Sequence, residues 1–251
     1  MKIQILNNRG IEVNILHFQG TSMNDYPKTI NFIYNNVELN PIEKNLEIAS
    51  CWTDEDKCIL YNQLKKNNIK LINVLPKNYN YSKQWDMRNK IEYYVDYLRN
   101  SKSKYIMLLD GYDVLFGNTN NIISKFESYR YDIIFNSSHN RYPDEDVEII
   151  ENREKKLGFF QYFNAGCCIG YRESLLNFYL ECLDYINIEN PNKSEQLIIR
   201  KAFSKYSNDN NQKFIWLDNN RDIFHTMCYT KVDYNANTNI LQIDNFIKDE
   251  Q

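Results

Sequence analysis

Residues 105–115 read Tyr105-Ile106-Met107-Leu108-Leu109-Asp110-Gly111-Tyr112-Asp113-Val114-Leu115. The first five side chains are apolar without alternation, which predicts a strand covered on both faces, the central strand of a sheet packed between helices. The run then stops at two carboxylates three residues apart, with Gly111 between them to allow a turn. Open α/β sheets bind ligands beyond the carboxyl ends of their strands, so the position of these acids is as informative as their type.

Working outward, short apolar runs alternate with helical patterns. Upstream, residues 46–52 read as a strand, Thr53-Asp54-Glu55-Asp56 as the capped, acidic start of a helix running toward Asn67, and residues 69–75 as a second strand stopped by Pro76. A Tyr/Asn-rich loop follows, then a helix over 87–99 with Ile91, Tyr94, Val95 and Leu98 on one face. Downstream come a helix at 120–128, a strand at 132–136, a polar loop at 137–146 and a glycine-bearing apolar run at 163–171. Helices at 173–186 and 194–205, a strand at 214–217 and Ile223-Phe224-His225 complete the series. Such alternation predicts an α/β fold with a mixed, mostly parallel sheet flanked by helices. Residues 1–43 stand apart from this pattern, and 44–251 form the main domain. One internal echo links the two ends: Lys2-Ile3-Gln4-Ile5-Leu6-Asn7 resembles Ile240-Leu241-Gln242-Ile243-Asp244-Asn245.

Composition limits the partners. With 251 residues, 30 Lys+Arg against 33 Asp+Glu and a formal charge of −3, there is no general attraction to nucleic acid or anionic membrane, so any anionic ligand must be met by a local site. The six cysteines show no Cys-x-x-Cys spacing and most sit in apolar segments, as expected of reduced core residues in a cytoplasmic protein. Neither a signal-peptide pattern nor an apolar run of about 18 residues occurs, so no transmembrane segment is expected.

Asp110 and Asp113 can aim at one hard cation, Mn²⁺ or Mg²⁺, which in turn can coordinate a diphosphate; the competing reading is that one of them caps the next helix. No Gly-x-Ser-x-Gly elbow and no grouped zinc ligands are present, which removes hydrolase and zinc chemistry.

The segment resembles the glycosyltransferase domain of the procollagen lysine hydroxylases, a GT-A (Rossmann-like) family in which a strand ends in Asp-x-Tyr-Asp-Val. Further matches fall in the same order over residues 45–230. They are Asn89-Lys90, Tyr142-Pro143, Phe163-Asn164-Ala165-Gly166-Cys167-Cys168-Ile169-Gly170, Ser194-Glu195-Gln196-Leu197, and Leu217-Asp218 with Ile223-Phe224. The resemblance implies a UDP-sugar donor bound with Mn²⁺ at Asp110 and Asp113, Lys90 near the nucleotide, and Gly166 and Gln196 in donor binding. Asn164 offers an amide to sugar hydroxyls beside small residues that let the backbone approach, or is part of an ordinary strand bulge. Glu195 faces the sugar or stabilises an oxocarbenium-like centre, or is a first-turn glutamate favoured by the helix dipole. Tyr79 and Tyr81 are available to stack on a uracil ring.

In that family a third metal ligand comes from a His-Gly-Asn-Gly segment after the Ile-Phe motif, and no such segment follows Ile223-Phe224 here. Near the start, however, Val13-Asn14-Ile15-Leu16-His17-Phe18-Gln19-Gly20 is an apolar strand ending in His-x-x-Gly. Two explanations stand: residues 1–43 fold back to bring His17 to the cation, or they are the tail of an adjoining upstream copy. His225 is the other candidate ligand, and His139 lies in the polar loop. The expected function is a metal-dependent transferase moving glucose or galactose from UDP to a glycan or peptide hydroxyl. The alternatives are a non-catalytic sugar-nucleotide-binding domain and, behind it, a nucleotidyltransferase, which the acidic first turn at 53–56 disfavours.

Overall fold

The structure, a computed structural model, describes residues 3–19, 22–77, 79, 88–142, 160–186, 195–207, 214–228 and 230–245. Its central sheet has six strands in the order β4-β3-β5-β8-β7-β9. These are β3 (Leu46–Cys51), β4 (Ile72–Asn73), β5 (Tyr105–Asp110), β7 (Ile133–Ser138), β8 (Tyr162–Tyr171) and β9 (Ile215–Leu217). All run in one direction except β8, which is antiparallel to both β5 and β7. The expected mixed, mostly parallel α/β sheet is therefore present.

The apolar run of β5 explains the layering. Ile106 and Leu108 point into one core, with Tyr94, Val95 and Leu98 of α4 (Asn89–Asn100) and with apolar residues of α6 (Arg172–Ile186) and α7 (Glu195–Ser207). Tyr105, Met107 and Leu109 point the other way, onto Leu60 and Leu64 of α3 (Ile59–Lys66) and Ile122 and Phe126 of α5 (Ile122–Ser128). Alternate residues thus serve two apolar layers, which is why the run shows no polar alternation.

Two small three-stranded sheets accompany the central one. In one, β2 (Ile15–His17) lies between β6 (Val114–Phe116) and β10 (Phe224–Thr226), antiparallel to the first and parallel to the second. In the other, β12 (Ile240–Asn245) lies between β11 (Thr230–Asn235) and β1 (Gln4–Asn7). The two echoing segments at the chain's ends are therefore parallel neighbours, Gln4 opposite Ile240. A third apolar cluster holds this region together, joining Ile5, Leu16 and Phe18 to Ile33 of α2 (Pro27–Asn36), Leu115 and Ile243. A short α1 (Ser22–Asp25) precedes α2.

Two expectations change. The acidic stretch 53–56 does not open α3, which starts at Ile59. The Thr53 and Asp54 amides instead donate to the Tyr112 hydroxyl at 2.9 and 3.1 Å, and Asp54 Oδ1 accepts from the Asp56 amide at 3.1 Å, closing a separate turn. The strand expected at 69–75 is paired only at Ile72–Asn73, because β4 is the sheet edge and its one neighbour is β3. All six cysteines are free and buried. Among the described residues no helix is long and apolar enough to cross a membrane.

Candidate functional site

Asp110 is the last residue of β5, and Asp113 immediately precedes β6, so only the bend through Gly111 and Tyr112 separates them. β6 is fixed on both sides. Gln63 of α3, fully buried, accepts from the Phe116 amide at 2.8 Å and donates to its carbonyl at 2.9 Å. On the other side β2 pairs with it, His17 opposite Val114. The Phe18 amide donates to the Asp113 carbonyl at 2.8 Å, and the Met227 amide to the His17 carbonyl at 2.9 Å. Backbone hydrogen bonds therefore set His17 against Asp113, and its Nε2 lies 3.4 Å from Asp113 Oδ2.

His17, Asp110 and Asp113 each offer a ligand atom, all within 4.8 Å of one another. Asp113 Oδ1 is buried with no hydrogen-bond partner among the described residues, an atom of the kind a cation would complete. A Cβ added at Gly166 would lie 2.6 Å from His17 Cε1 and 2.7 Å from Asp110 Oδ2, so the space among these groups exists because residue 166 has no side chain. One imidazole and two carboxylates suit a hard divalent cation such as Mn²⁺ or Mg²⁺. The residues present fit such an ion.

Gly166 reaches this point through a bulge. In the β7–β8 ladder Phe135 faces Cys168 while the next residue, Asn136, faces Asn164, leaving residues 165–167 without β7 partners. Asn164 Oδ1 accepts from the Gly166 amide at 2.9 Å, and its Nδ2 donates to Gln19 Oε1 at 2.6 Å. The bulge anticipated as the plain explanation of Asn164 is thus real, and it also aims the site. Asn136 Nδ2 lies 3.0 Å from His17 Nδ1, orienting the ring so that Nε2 faces the acids. Gln196 donates to the Tyr142 carbonyl at 2.6 Å and accepts from the Ala165 amide at 3.4 Å, joining α7 to the polar loop and the bulge.

Lys90, the second residue of α4, is buried and ion-paired with Asp110, with Glu195 Oε1 3.9 Å from its ammonium. Burial opposes its charge, but Asp110, with Tyr94 and Glu195, outweighs that and holds the lysine well above its usual range. Glu195 titrates higher than an ordinary glutamate: burial raises it, Lys90 opposes this and Asp110 reinforces it. At His17 burial favours the neutral ring, yet the facing Asp113 and the nearby Asp110 prevail and raise its pKa above 6.5.

Two cavities meet at the acids. One of about 550 Å³ is lined by Trp52, Thr53, Lys57, Lys90 and Tyr112; the other, of about 470 Å³, by His17, Gln19, Tyr142, Asn164 and Gln196; Asp110 and Asp113 border both. His225 lies elsewhere, fully buried in β10 opposite Leu16, and is not one of the grouped ligands. His139 packs edge-on to Phe160 and Tyr79 edge-on to Tyr93, while Tyr81, Pro143 and Ser194 fall outside the described residues. Gln19, Asn136 and Tyr112 carry much of the site without having been singled out. Gln19 follows His17 by two residues, the strand period, and Asn136 ends an apolar run as Asp110 does, so both left a pattern to read.

Among solved structures the chain matches 4-diphosphocytidyl-2C-methyl-D-erythritol synthase from Anaerococcus prevotii DSM 20548 at 10% identity, over 86% of this chain and 87% of that one, with a TM-score of 0.32. Similarity that low has no bearing on fold or function. A search of the curated proteins returns no match. The sequence model of the PLOD GT domain, by contrast, matches residues 60–250, a stretch that holds both acids, Lys90, Gly166 and Glu195 and leaves His17 outside. With well over half its length matched in this way, the chain belongs to the PLOD GT domain family and is a glycosyltransferase-like domain, whose chemistry calls for a sugar donor and an acceptor.

Proposed function

We propose that the protein is a metal-dependent hexosyltransferase that moves glucose or galactose from UDP to a hydroxyl of a glycan or peptide. The observation that carries this reading is the shared border of the two cavities. A group holding Asp110 and Asp113 faces both, as required where a donor's diphosphate and its sugar occupy neighbouring spaces. His17, Asp110 and Asp113 would hold the ion. A bound divalent cation supplies Lewis-acid stabilisation of the negative charge that develops on the departing diphosphate.

The chain's own groups do the rest. The buried ammonium of Lys90 adds fixed positive charge beside Asp110, where low dielectric strengthens it. Asn164 and Gln196 line the second cavity with amides suited to sugar hydroxyls, and the Gly166 backbone leaves room for close approach. Glu195 opens α7 with its carboxylate 3.9 Å from the Lys90 ammonium, and in this reading it stabilises an electron-poor anomeric carbon. In this reading residues 1–43 serve as the closing histidine segment of the domain, supported by the place of β2 between β6 and β10.

The test is UDP release from UDP-glucose and UDP-galactose with and without Mn²⁺. Metal-dependent release that EDTA abolishes is the expected result. Donor binding without release selects the binding-only alternative, and absence of both binding and release overturns the proposal.

A further inference from the structure

We propose that Lys90 couples the cation to the nucleotide diphosphate: it occupies Asp110 when neither ligand is bound, so a cation alone binds weakly and the diphosphate restores its affinity by drawing Lys90 away. The inference rests on the site reading above and adds a binding mechanism to it. Lys90 is held from the first turn of α4 with its side chain 6% exposed, so its ammonium takes its partners from the protein and not from water. Its ammonium pairs with Asp110 Oδ1, while the Asp110 Oδ2 side faces Gly166 and the grouped ligands. A cation among His17, Asp110 and Asp113 therefore shares one carboxylate with a second, buried positive charge. Shared attraction and mutual repulsion both weaken its hold, and the burial of Lys90 and His17 reduces the screening of these charges by water.

Glu195 is the other half of the device. Its Oε1 lies 3.9 Å from Lys90 Nζ, so the ammonium lies between two carboxylates and can shift its weight from Asp110 without losing all negative neighbours. A diphosphate on the cation brings oxygens that accept from Lys90 and so relieves the competition at Asp110. By linkage, whatever factor the diphosphate adds to cation affinity, the cation adds to diphosphate affinity.

The experiment measures Mn²⁺ binding by the resonance signal of the free ion, with and without UDP, in the wild-type protein, Lys90→Met and Glu195→Gln, with UDP binding followed by calorimetry. In the wild type UDP is expected to tighten Mn²⁺ binding by about tenfold or more. Lys90→Met should bind Mn²⁺ alone about tenfold more tightly than the wild type and gain about tenfold less from UDP, keeping only what direct coordination by the diphosphate supplies. Glu195→Gln, which leaves Asp110 as the nearest carboxylate for Lys90, should shift Mn²⁺ affinity the other way, weaker alone and with a larger gain from UDP. A general loosening of the site would weaken Mn²⁺ binding in both variants. Equal Mn²⁺ affinity with and without UDP in the wild type, or weaker binding by folded Lys90→Met, overturns the coupling. If Lys90→Met does not fold, the UDP gain in Glu195→Gln decides: a gain larger than the wild type's supports the coupling, and an equal or smaller one overturns it. Failure of every protein to bind either Mn²⁺ or UDP would instead overturn the proposed function.

Discussion

Asp110 and Asp113 stand at the end of one buried strand and its following turn, whereas His17 reaches them from the opposite end of the chain through the pairing of β2 with β6 and β10. The acids are placed close together by local geometry: an apolar strand that must be buried, a bend at a glycine, and the short strand β6 that follows. The imidazole is placed by backbone hydrogen bonds between segments remote in sequence, and by Leu16 and Phe18 on either side of it, both fully buried in the third apolar cluster. Asp110 needs only the central sheet, whereas Asp113 and His17 are fixed against each other by the pairing of β6 with β2.

The comparison can be broken or sharpened by substitution. The largest effect is expected at the locally encoded half: replacing both acids, Asp110→Asn with Asp113→Asn, should lower UDP release by about 10³-fold and remove Mn²⁺ binding while the fold survives. Retained turnover would end the metal reading. Next, Leu16→Ala should cost about 2–5 kcal/mol in denaturant unfolding, because its buried side chain links β2 to the rest of the domain. An unchanged midpoint would show that the N-terminal segment is an accessory and not part of the folding unit.

His17→Ala should weaken Mn²⁺ binding by about 10–100-fold with a smaller change in stability, separating ligand from scaffold. Gly166→Ala should act on both halves at once, since its Cβ would press on His17 and Asp110 together; a loss of about 1–3 kcal/mol in stability or cation binding is expected. The mildest effect is with pH. Because the folded protein raises the pKa of His17, its protonated pairing with Asp113 adds stability in the cation-free protein that is complete below about pH 6.5 and is lost as pH rises through the higher folded value. Mn²⁺ needs the neutral ring, so its affinity should rise over that same interval by up to about tenfold per unit, a slope that His17→Ala flattens.

Much of the central domain was open to a reading of residues alone. The uninterrupted run 105–109 implied burial on both faces, and the structure shows alternate side chains serving two helical layers. The glycine-bearing apolar run 163–171 was visible in the sequence, but the antiparallel direction of the strand it forms was not, since the same apolar side chains satisfy either orientation. The stretch 53–56 misled for a similar reason: Thr and Asp are good helix caps, yet here the free amides are met by the Tyr112 hydroxyl from across the site.

The succession of strands and helices along the chain, the acids at the end of β5 and the small residues of the bulge are consequences of local pattern, because hydrophobic period and turn chemistry act over a few residues. Which histidine faces the acids, how Lys90 is shared between Asp110 and Glu195, and why residue 166 must lack a side chain depend on groups far apart in the chain. Those contacts exist only after backbone pairing and burial have brought the segments together, so tertiary structure alone decided them.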